Sequence, residues 1–138
     1  MPELSPISVP ISALEQIAFD ANGLVPAIAQ DAVTNEILMV AWMDRAAFLR
    51  TLETGKACYF SRSRKSAWMK GESSGHLQML REVRIDCDGD VVLLKVEPLG
   101  GISCHTGRRN CFFRKLENGA WVTEFTPIKT EAEMYGER

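Results

Sequence analysis

The stretch VPAIAQDAVTNEILMVAWM, residues 25–43, decides the fold class of this chain. Two runs rich in apolar and β-branched side chains, VPAIA and ILMVAWM, flank the polar turn formers TNE. This pattern predicts a β-hairpin with two largely buried strands. The longest apolar run, from Ile37 to Met43, is far shorter than the ~20 residues that span a bilayer, so we expect no membrane partner.

The rest of the chain adds further strands and two short helices. ACYFS (57–61) predicts a strand, residues 77–98 predict two strands joined through DGD, and residues 111–125 predict a hairpin around ENG. A capping box of Ser12 and Glu15 opens one helix. Asp44 caps a second, RAAFLRTLETG, which Gly55 ends. The sequence therefore predicts a strand-rich α+β fold built on an antiparallel sheet.

Length and composition limit the function classes. The 138 residues suit one domain, 1–138, with flexible ends at about 1–10 and 127–138. A net charge of −2 gives no global reason to expect nucleic acid, so anion recognition must be local. MPELSPISVP shows no secretory signal, and we expect a cytoplasmic protein. In a reducing compartment, four cysteines suggest metal binding or catalysis before disulfides.

The stretch DCDGD, residues 86–90, holds three clustered carboxylates, those of Asp86, Asp88 and Asp90. If the strand continues through Asp88, Asp86 and Asp88 point one way and Cys87 the other. Clustered carboxylates repel one another unless a cation neutralises them, and oxygen ligands suit Mg²⁺ or Ca²⁺. A plain Asp-Gly hairpin turn is the alternative. An EF-hand is excluded, because Val91 stands where glycine is required and the flanks are strands.

Three of the cysteines have polar neighbours, whereas Cys58 is predicted to be a core thiol. Cys87 lies in the acidic turn, and Cys104 and Cys111 bracket the other motif, ISCHTGRRNC (102–111). The spacing of Cys104 and Cys111 is wider than a usual zinc knuckle, so a disulfide or a core role for each thiol stays open. Taken together, three thiolates would leave a fourth zinc position open, as in a catalytic site.

The residues between Cys104 and Cys111 can offset the negative charge of three thiolates. His105 is placed to act as a base or to hold a water, and Arg108 and Arg109 can grip an anion. The alternatives are a zinc ligand or a loop hydrogen bond for His105, and a solvated surface for the arginine pair.

A polar, basic stretch from Arg62 to Gly75 predicts a long loop. Arg62 and Arg64, two apart in an extended segment, share a face and can hold a phosphate. Lys70 adds charge, and Trp68 can stack on a base. We expect a small phosphorylated ligand and no nucleic acid. A zinc-stapled module that binds single-stranded RNA is the alternative from another class.

The chain resembles the phosphoribosyl-AMP cyclohydrolase family of histidine biosynthesis. The resemblance runs from about Gly23 to Arg114 and rests on five separated blocks: GLVPAIAQD, LMVAWM, TLETGKACYFSRSRKSAWMKGESSGH, RIDCDGDVVLLKV and CHTGRRNCFFR. It implies a hydrolase that opens the adenine ring of phosphoribosyl-AMP at the N1–C6 bond. Many relatives carry a fused pyrophosphohydrolase domain for the preceding step, an activity that we expect here from another polypeptide.

The resemblance also implies the cofactors and the assembly. It implies an intertwined homodimer of pseudobarrel subunits, with one Zn²⁺ and one Mg²⁺ per subunit. The zinc would be shared, bound by Cys87 of one subunit and by Cys104 and Cys111 of the other. The aspartates at 86, 88 and 90 would bind magnesium.

A mechanistic hypothesis joins the two lines of reasoning. Zinc-bound water attacks C6, His105 takes or relays the proton, and the C6–N1 bond then breaks. His76, the second of the two histidines, is the alternative proton carrier. The two phosphates of the substrate would be held by two basic groups, Arg62, Arg64 and Lys70 in one and Arg108 and Arg109 with Mg²⁺ in the other.

Overall fold

The computed structural model describes residues 14–135. Within that range it contains a six-stranded sheet, a separate two-stranded hairpin and two α-helices. The strands are β1 (Val25–Asp31), β2 (Ile37–Met43), β3 (Cys58–Ser61), β4 (Ser66–Met69), β5 (Gln78–Ile85), β6 (Val92–Pro98), β7 (Arg114–Glu117) and β8 (Ala120–Thr123). The helices are α1 (Arg45–Thr54) and α2 (Glu131–Tyr135), and a 3₁₀ turn covers Leu99–Gly101.

The hairpin predicted from residues 25–43 is confirmed. β1 and β2 pair antiparallel from Val25 opposite Met43 to Gln30 opposite Ile37. The Asp31 carboxylate accepts hydrogen bonds from the Val33 and Thr34 amides at 2.8 and 3.0 Å, which stabilises the turn.

The large sheet runs in the order β4-β3-β2-β1-β6-β5. Its neighbouring strands are antiparallel except β1 and β6, which run parallel with Ala27 opposite Val92. The prediction of an antiparallel sheet is therefore wrong for this pair. The sequence patterns locate strands and adjacent hairpins, but they do not show which free edge the later β5–β6 hairpin joins.

The sheet curls until β5 meets the segment that precedes β3. The Leu80 amide donates to the Gly55 carbonyl at 2.8 Å, and the Ala57 amide donates to the Gln78 carbonyl at 3.0 Å. These bonds make a half-barrel, which agrees with the pseudobarrel expected from the resemblance. They also bring β5 next to residues 55–57, which precede β3.

Helix α1 begins and ends as the sequence predicts. The Asp44 carboxylate accepts a hydrogen bond from the Ala47 amide at 2.8 Å, and Gly55 ends the helix in the left-handed conformation at φ 70°. Phe48 and Leu52 are buried on the face that packs on the sheet. Ser12 of the predicted capping box lies outside the described residues.

The core lies between the curled sheet and α1. Its fully buried members from the central strands include Val25, Ala27, Leu94 and Val96. No helix in residues 14–135 is long and apolar enough to cross a membrane.

Two segments have more regular structure than the sequence predicts. The predicted long loop from 62 to 75 contains β4, which pairs with β3 from Cys58 opposite Met69 to Ser61 opposite Ser66. That part of the loop prediction is wrong, because cross-strand packing of Trp68 on Tyr59 organises a polar sequence. Within the predicted flexible end, residues 131–135 form α2 and bury Met134; the mobility of this end stays a prediction.

Candidate functional site

Cys104 and Cys111 lie at the two ends of a folded loop, residues 104–111, which we call the cysteine loop. The Gly107 amide donates to the Cys104 carbonyl at 2.9 Å, and the Cys104 amide donates to the Arg108 carbonyl at 3.1 Å. The Cys111 amide donates to the Leu38 carbonyl at 2.8 Å, which fixes the far end of the loop to β2. All four cysteines are free thiols.

The thiols of Cys104 and Cys111 interact with each other. A hydrogen bond from Cys111 lowers the pKa of Cys104 to about 5, and the Thr106 hydroxyl, 3.0 Å from its sulfur, contributes. The same hydrogen bond raises the pKa of Cys111. A thiolate beside a thiol is a soft, anionic donor pair, which is the chemistry that suits zinc. These residues therefore fit part of a zinc site.

Cys87 does not join this pair. It is exposed in the turn after β5. Within residues 14–135, the one group of three or more metal-ligating side chains close enough to share an ion is formed by Asp86, Asp88 and Asp90. The described chain thus brings together two of the three predicted thiol ligands.

The three aspartates gather at the turn between β5 and β6. Each offers a carboxylate oxygen, and these oxygens lie within 4.8 Å of one another. Strand β5 ends at Ile85, so the premise that the strand continues through Asp88 is wrong; the turn gathers the carboxylates instead. Hydrogen bonds with Asp88 and Asp86 raise the pKa of Asp90 to about 6. Crowded oxygen ligands of this kind suit Mg²⁺.

A cavity of about 580 Å³ opens beside the cysteine loop. Arg64, Trp68 and Lys70 of the β3–β4 hairpin region line it, together with His105 and residues of α2. Burial lowers the pKa of Lys70, while the charges of Cys111 and Cys104 oppose that shift. Lys70 therefore lies between the cavity and the thiols, where its ammonium offsets their negative charge.

The two histidines have different surroundings. His105 is exposed and lines the cavity. His76 is 7% exposed, and its Nδ1 lies 2.9 Å from the Leu99 carbonyl oxygen. Its Nε2 is buried and has no hydrogen-bond partner among residues 14–135. Gly100 allows this close packing, because a Cβ there would lie 2.6 Å from Nδ1 of His76. The geometry gives His105, and not His76, direct access to the cavity.

Arg62 and Arg64 lie in the turn between β3 and β4. The premise that they occupy an extended segment and share a face is wrong, because residues 62–65 form a turn in which Lys65 has φ 52°. The Arg62 guanidinium lies 4.5 Å from the centre of the Trp42 ring. Both arginines line a second cavity of about 540 Å³, and Arg64 and Trp68 line both cavities.

The arginine pair of the cysteine loop has intramolecular partners. Arg108 Nε donates to the Phe125 carbonyl at 2.9 Å, and its guanidinium lies 4.1 Å from the Phe113 ring centre. Arg109 forms an ion pair with Glu36. Neither residue lines the cavity beside His105.

Buried polar residues behind the cysteine loop were missed by the sequence interpretation. Tyr59, Gln78 and Ser103 are at most 1% exposed and are linked by hydrogen bonds. One signal was available for Gln78. The alternation along β5 puts it on the same face as the core residue Leu80, where a polar side chain needs a buried partner.

Comparisons with known proteins match most of the chain. A sequence profile described as phosphoribosyl-AMP cyclohydrolase matches residues 39–113. The chain is 52% identical over 128 residues to the phosphoribosyl-AMP cyclohydrolase of Chromobacterium violaceum, covering 93% of this chain and 97% of that protein. It is 58% identical over 123 residues to the protein of that name from Marinobacter nauticus, covering 89% of each chain.

Proposed function

The chain belongs to the phosphoribosyl-AMP cyclohydrolase family, and from that premise we propose that it hydrolyses the N1–C6 bond of phosphoribosyl-AMP in histidine biosynthesis. The observation that carries the proposal is the placement of the Cys104–Cys111 pair beside a cavity lined by Lys70 and His105. A cavity of about 580 Å³ lies within the range of small-molecule sites.

The chemistry of the donor set supports metal dependence. Cys104 and Cys111 would hold zinc, with Cys87 as the third ligand. Zinc bound by three protein ligands supplies a nucleophilic water near neutral pH. The aspartates at 86, 88 and 90 would hold magnesium, since their carboxylate oxygens lie within 4.8 Å of one another.

The cavity residues supply binding and proton transfer. Trp68 offers a ring for stacking on the adenine, and Arg64 and Lys70 offer cations for a phosphate. Arg62 is adjacent, in the second cavity. His105, exposed at the cavity, would take the proton from the attacking water, and His76 is too enclosed for that role. A phosphate at Arg108 and Arg109 would have to replace their present partners, Phe125 and Glu36.

We propose a homodimer because the thiol set is incomplete in the described chain. Cys87 is exposed and lies outside the Cys104–Cys111 pair, so a second copy would supply it. Large apolar side chains are exposed as well: Phe112, which follows Cys111, at 56% and Trp121 of β8 at 69%. Such surfaces are typical of interfaces.

The test of the function follows the absorbance change of ring opening with phosphoribosyl-AMP as substrate. Wild-type protein should convert the substrate, and a zinc chelator should stop the reaction. Cys104→Ser should lose bound zinc and activity together, while Cys58→Ser, which changes a buried thiol on β3, should keep its zinc. An active, zinc-free Cys104→Ser protein would refute the catalytic role of zinc.

The shared site has a sharper test. Cys87→Ser and Cys104→Ser are each inactive as homodimers if zinc needs one thiol from one subunit and two from the other. Unfolding and refolding them together gives heterodimers in which one of the two sites is intact, so about a quarter of wild-type activity should return. If no activity returns, Cys87 binds zinc together with Cys104 and Cys111 of its own chain, or it binds no zinc.

The proton carrier is tested by replacing each histidine. His105→Ala should lower kcat by about 10²–10⁴-fold with zinc still bound, since general acid–base groups contribute that much. An unchanged kcat would exclude His105 from proton transfer.

A further inference from the structure

A chain of three buried polar side chains lies behind the cysteine loop. Tyr59 and Gln78 are 0% exposed and Ser103 is 1% exposed. The Tyr59 hydroxyl donates to Oε1 of Gln78 at 2.6 Å. Nε2 of Gln78 lies 3.3 Å from the Ser103 hydroxyl oxygen and 3.3 Å from the sulfur of Met39. Both ends of the Gln78 amide therefore have partners.

An amide at this position needs an explanation. Gln78 neighbours the apolar core, in which Tyr59, Met39 and Leu80 are members. Burying an amide without hydrogen bonds costs several kcal/mol, and an apolar side chain of similar size would avoid that cost. Buried polar groups are often retained because they specify one arrangement of their neighbours.

Two hydrogen-bond partners of Gln78, Ser103 and Met39, lie next to the residues that hold the two ends of the cysteine loop. Ser103 directly precedes Cys104, and the amides of both residues donate to the Arg108 carbonyl, at 3.2 and 3.1 Å. Met39 directly follows Leu38, whose carbonyl accepts the Cys111 amide at 2.8 Å. One side-chain amide thus contacts the residue before the first thiol and the strand that anchors the second.

We propose that Gln78 is a positioning residue that holds the two ends of the cysteine loop so that Cys104 and Cys111 meet one zinc ion. The inference rests on the zinc site of the proposed function. Groups that orient metal ligands change metal affinity by about 10–100-fold when they are removed. Without the amide the two thiols can separate. Zinc binding must then bring them together, and the entropy lost in that step lowers the affinity for zinc.

The test measures zinc affinity by competition with a chromophoric chelator, and the visible spectrum of the cobalt-substituted protein. Gln78→Leu should lower zinc affinity about 10-fold or more and should change the intensity of the cobalt d–d bands. Ser103→Ala, which removes one link and little volume, should lower zinc affinity by a smaller factor. It serves as the second variant if Gln78→Leu does not fold.

Thr51→Val is the matched control. Thr51 is also 0% exposed, and its hydroxyl joins α1 to β3 through the Ala47 carbonyl at 2.9 Å and the Cys58 amide at 2.9 Å. The hydrogen bonds of the Thr51 hydroxyl go to Ala47 and Cys58 and do not involve the cysteine loop. We expect Thr51→Val to lower the melting temperature and to leave zinc affinity close to that of wild type, in contrast to the about 10–100-fold effect of removing a group that orients a metal ligand.

Two outcomes are decisive. If Gln78→Leu and Ser103→Ala bind zinc as tightly as wild type, the amide has a structural role alone and the inference is wrong. If wild-type protein binds no zinc at the cysteine pair, the zinc part of the proposed function fails and the inference fails with it.

Discussion

Replacing Gly107 with alanine should detach the C-terminal segment from the cysteine loop. Gly107 has φ 86°, and a Cβ there would lie 1.7 Å from the Lys129 carbonyl oxygen and 3.3 Å from the Met134 sulfur. The Gly107 carbonyl also accepts the Ile128 amide at 2.8 Å. No small adjustment relieves a clash with backbone at that distance, so the segment from Ile128 to Met134 must move.

The magnitude follows from what is lost. The left-handed backbone costs a non-glycine residue about 1–2 kcal/mol. Moving the segment breaks one backbone hydrogen bond, worth about 1 kcal/mol, and exposes Met134, whose burial contributes about 2 kcal/mol. Gly107→Ala should therefore lower the free energy of unfolding by about 4–5 kcal/mol. Gly119→Ala is the control, because Gly119 has φ 79° and no atom of the described part of the chain lies within 4 Å of its Cβ position. It should cost about 1–2 kcal/mol.

The assays are urea unfolding followed by tryptophan fluorescence, and steady-state kinetics. Glu131, Ala132 and Tyr135 line the cavity beside His105, so loss of this wall should raise KM. Met134→Ala weakens the same contact without altering the cysteine loop and should also raise KM. Equal losses of stability in Gly107→Ala and Gly119→Ala would refute the packing of this segment on the loop.

Four further predictions test other parts of the molecule. Asp44→Ala removes the side-chain cap of α1 and should lower the free energy of unfolding by about 1 kcal/mol in urea titrations, while Asp44→Asn should be close to wild type. Magnesium binding should weaken as the pH falls through about 6, since Asp90 is protonated below that pH. In titration calorimetry, the magnesium affinity of Asp90→Asn should depend less on pH than that of wild type. An unchanged pH dependence would contradict the role of Asp90 as a magnesium ligand. Without magnesium, the raised pKa of Asp90 means that the folded state holds the proton more tightly, so stability should fall as the pH rises from about 4 to about 6. Leu94→Ala, at a fully buried site, should cost about 2–5 kcal/mol in the same urea titrations.

Local sequence determined the elements whose signals are short-range. The β1–β2 hairpin, the β5–β6 hairpin, the β7–β8 hairpin and α1 with its Asp44 cap follow from side-chain alternation, turn residues and capping chemistry. β4 was missed, because its strand signal depends on Trp68 packing on Tyr59 across the hairpin.

The sequence determined the chemistry of the site, since thiols, clustered carboxylates and a basic stretch are visible in it as residue types. Only the tertiary structure decided their arrangement. It brought Cys104 and Cys111 together and separated Cys87 from them. It also placed His105 in the lining of the cavity and buried His76. It also placed Gln78 behind the cysteine loop and made β1 and β6 parallel neighbours. The physical reason is that these contacts join residues far apart in the chain, and the curl of the sheet, which no local pattern encodes, decides which of them meet.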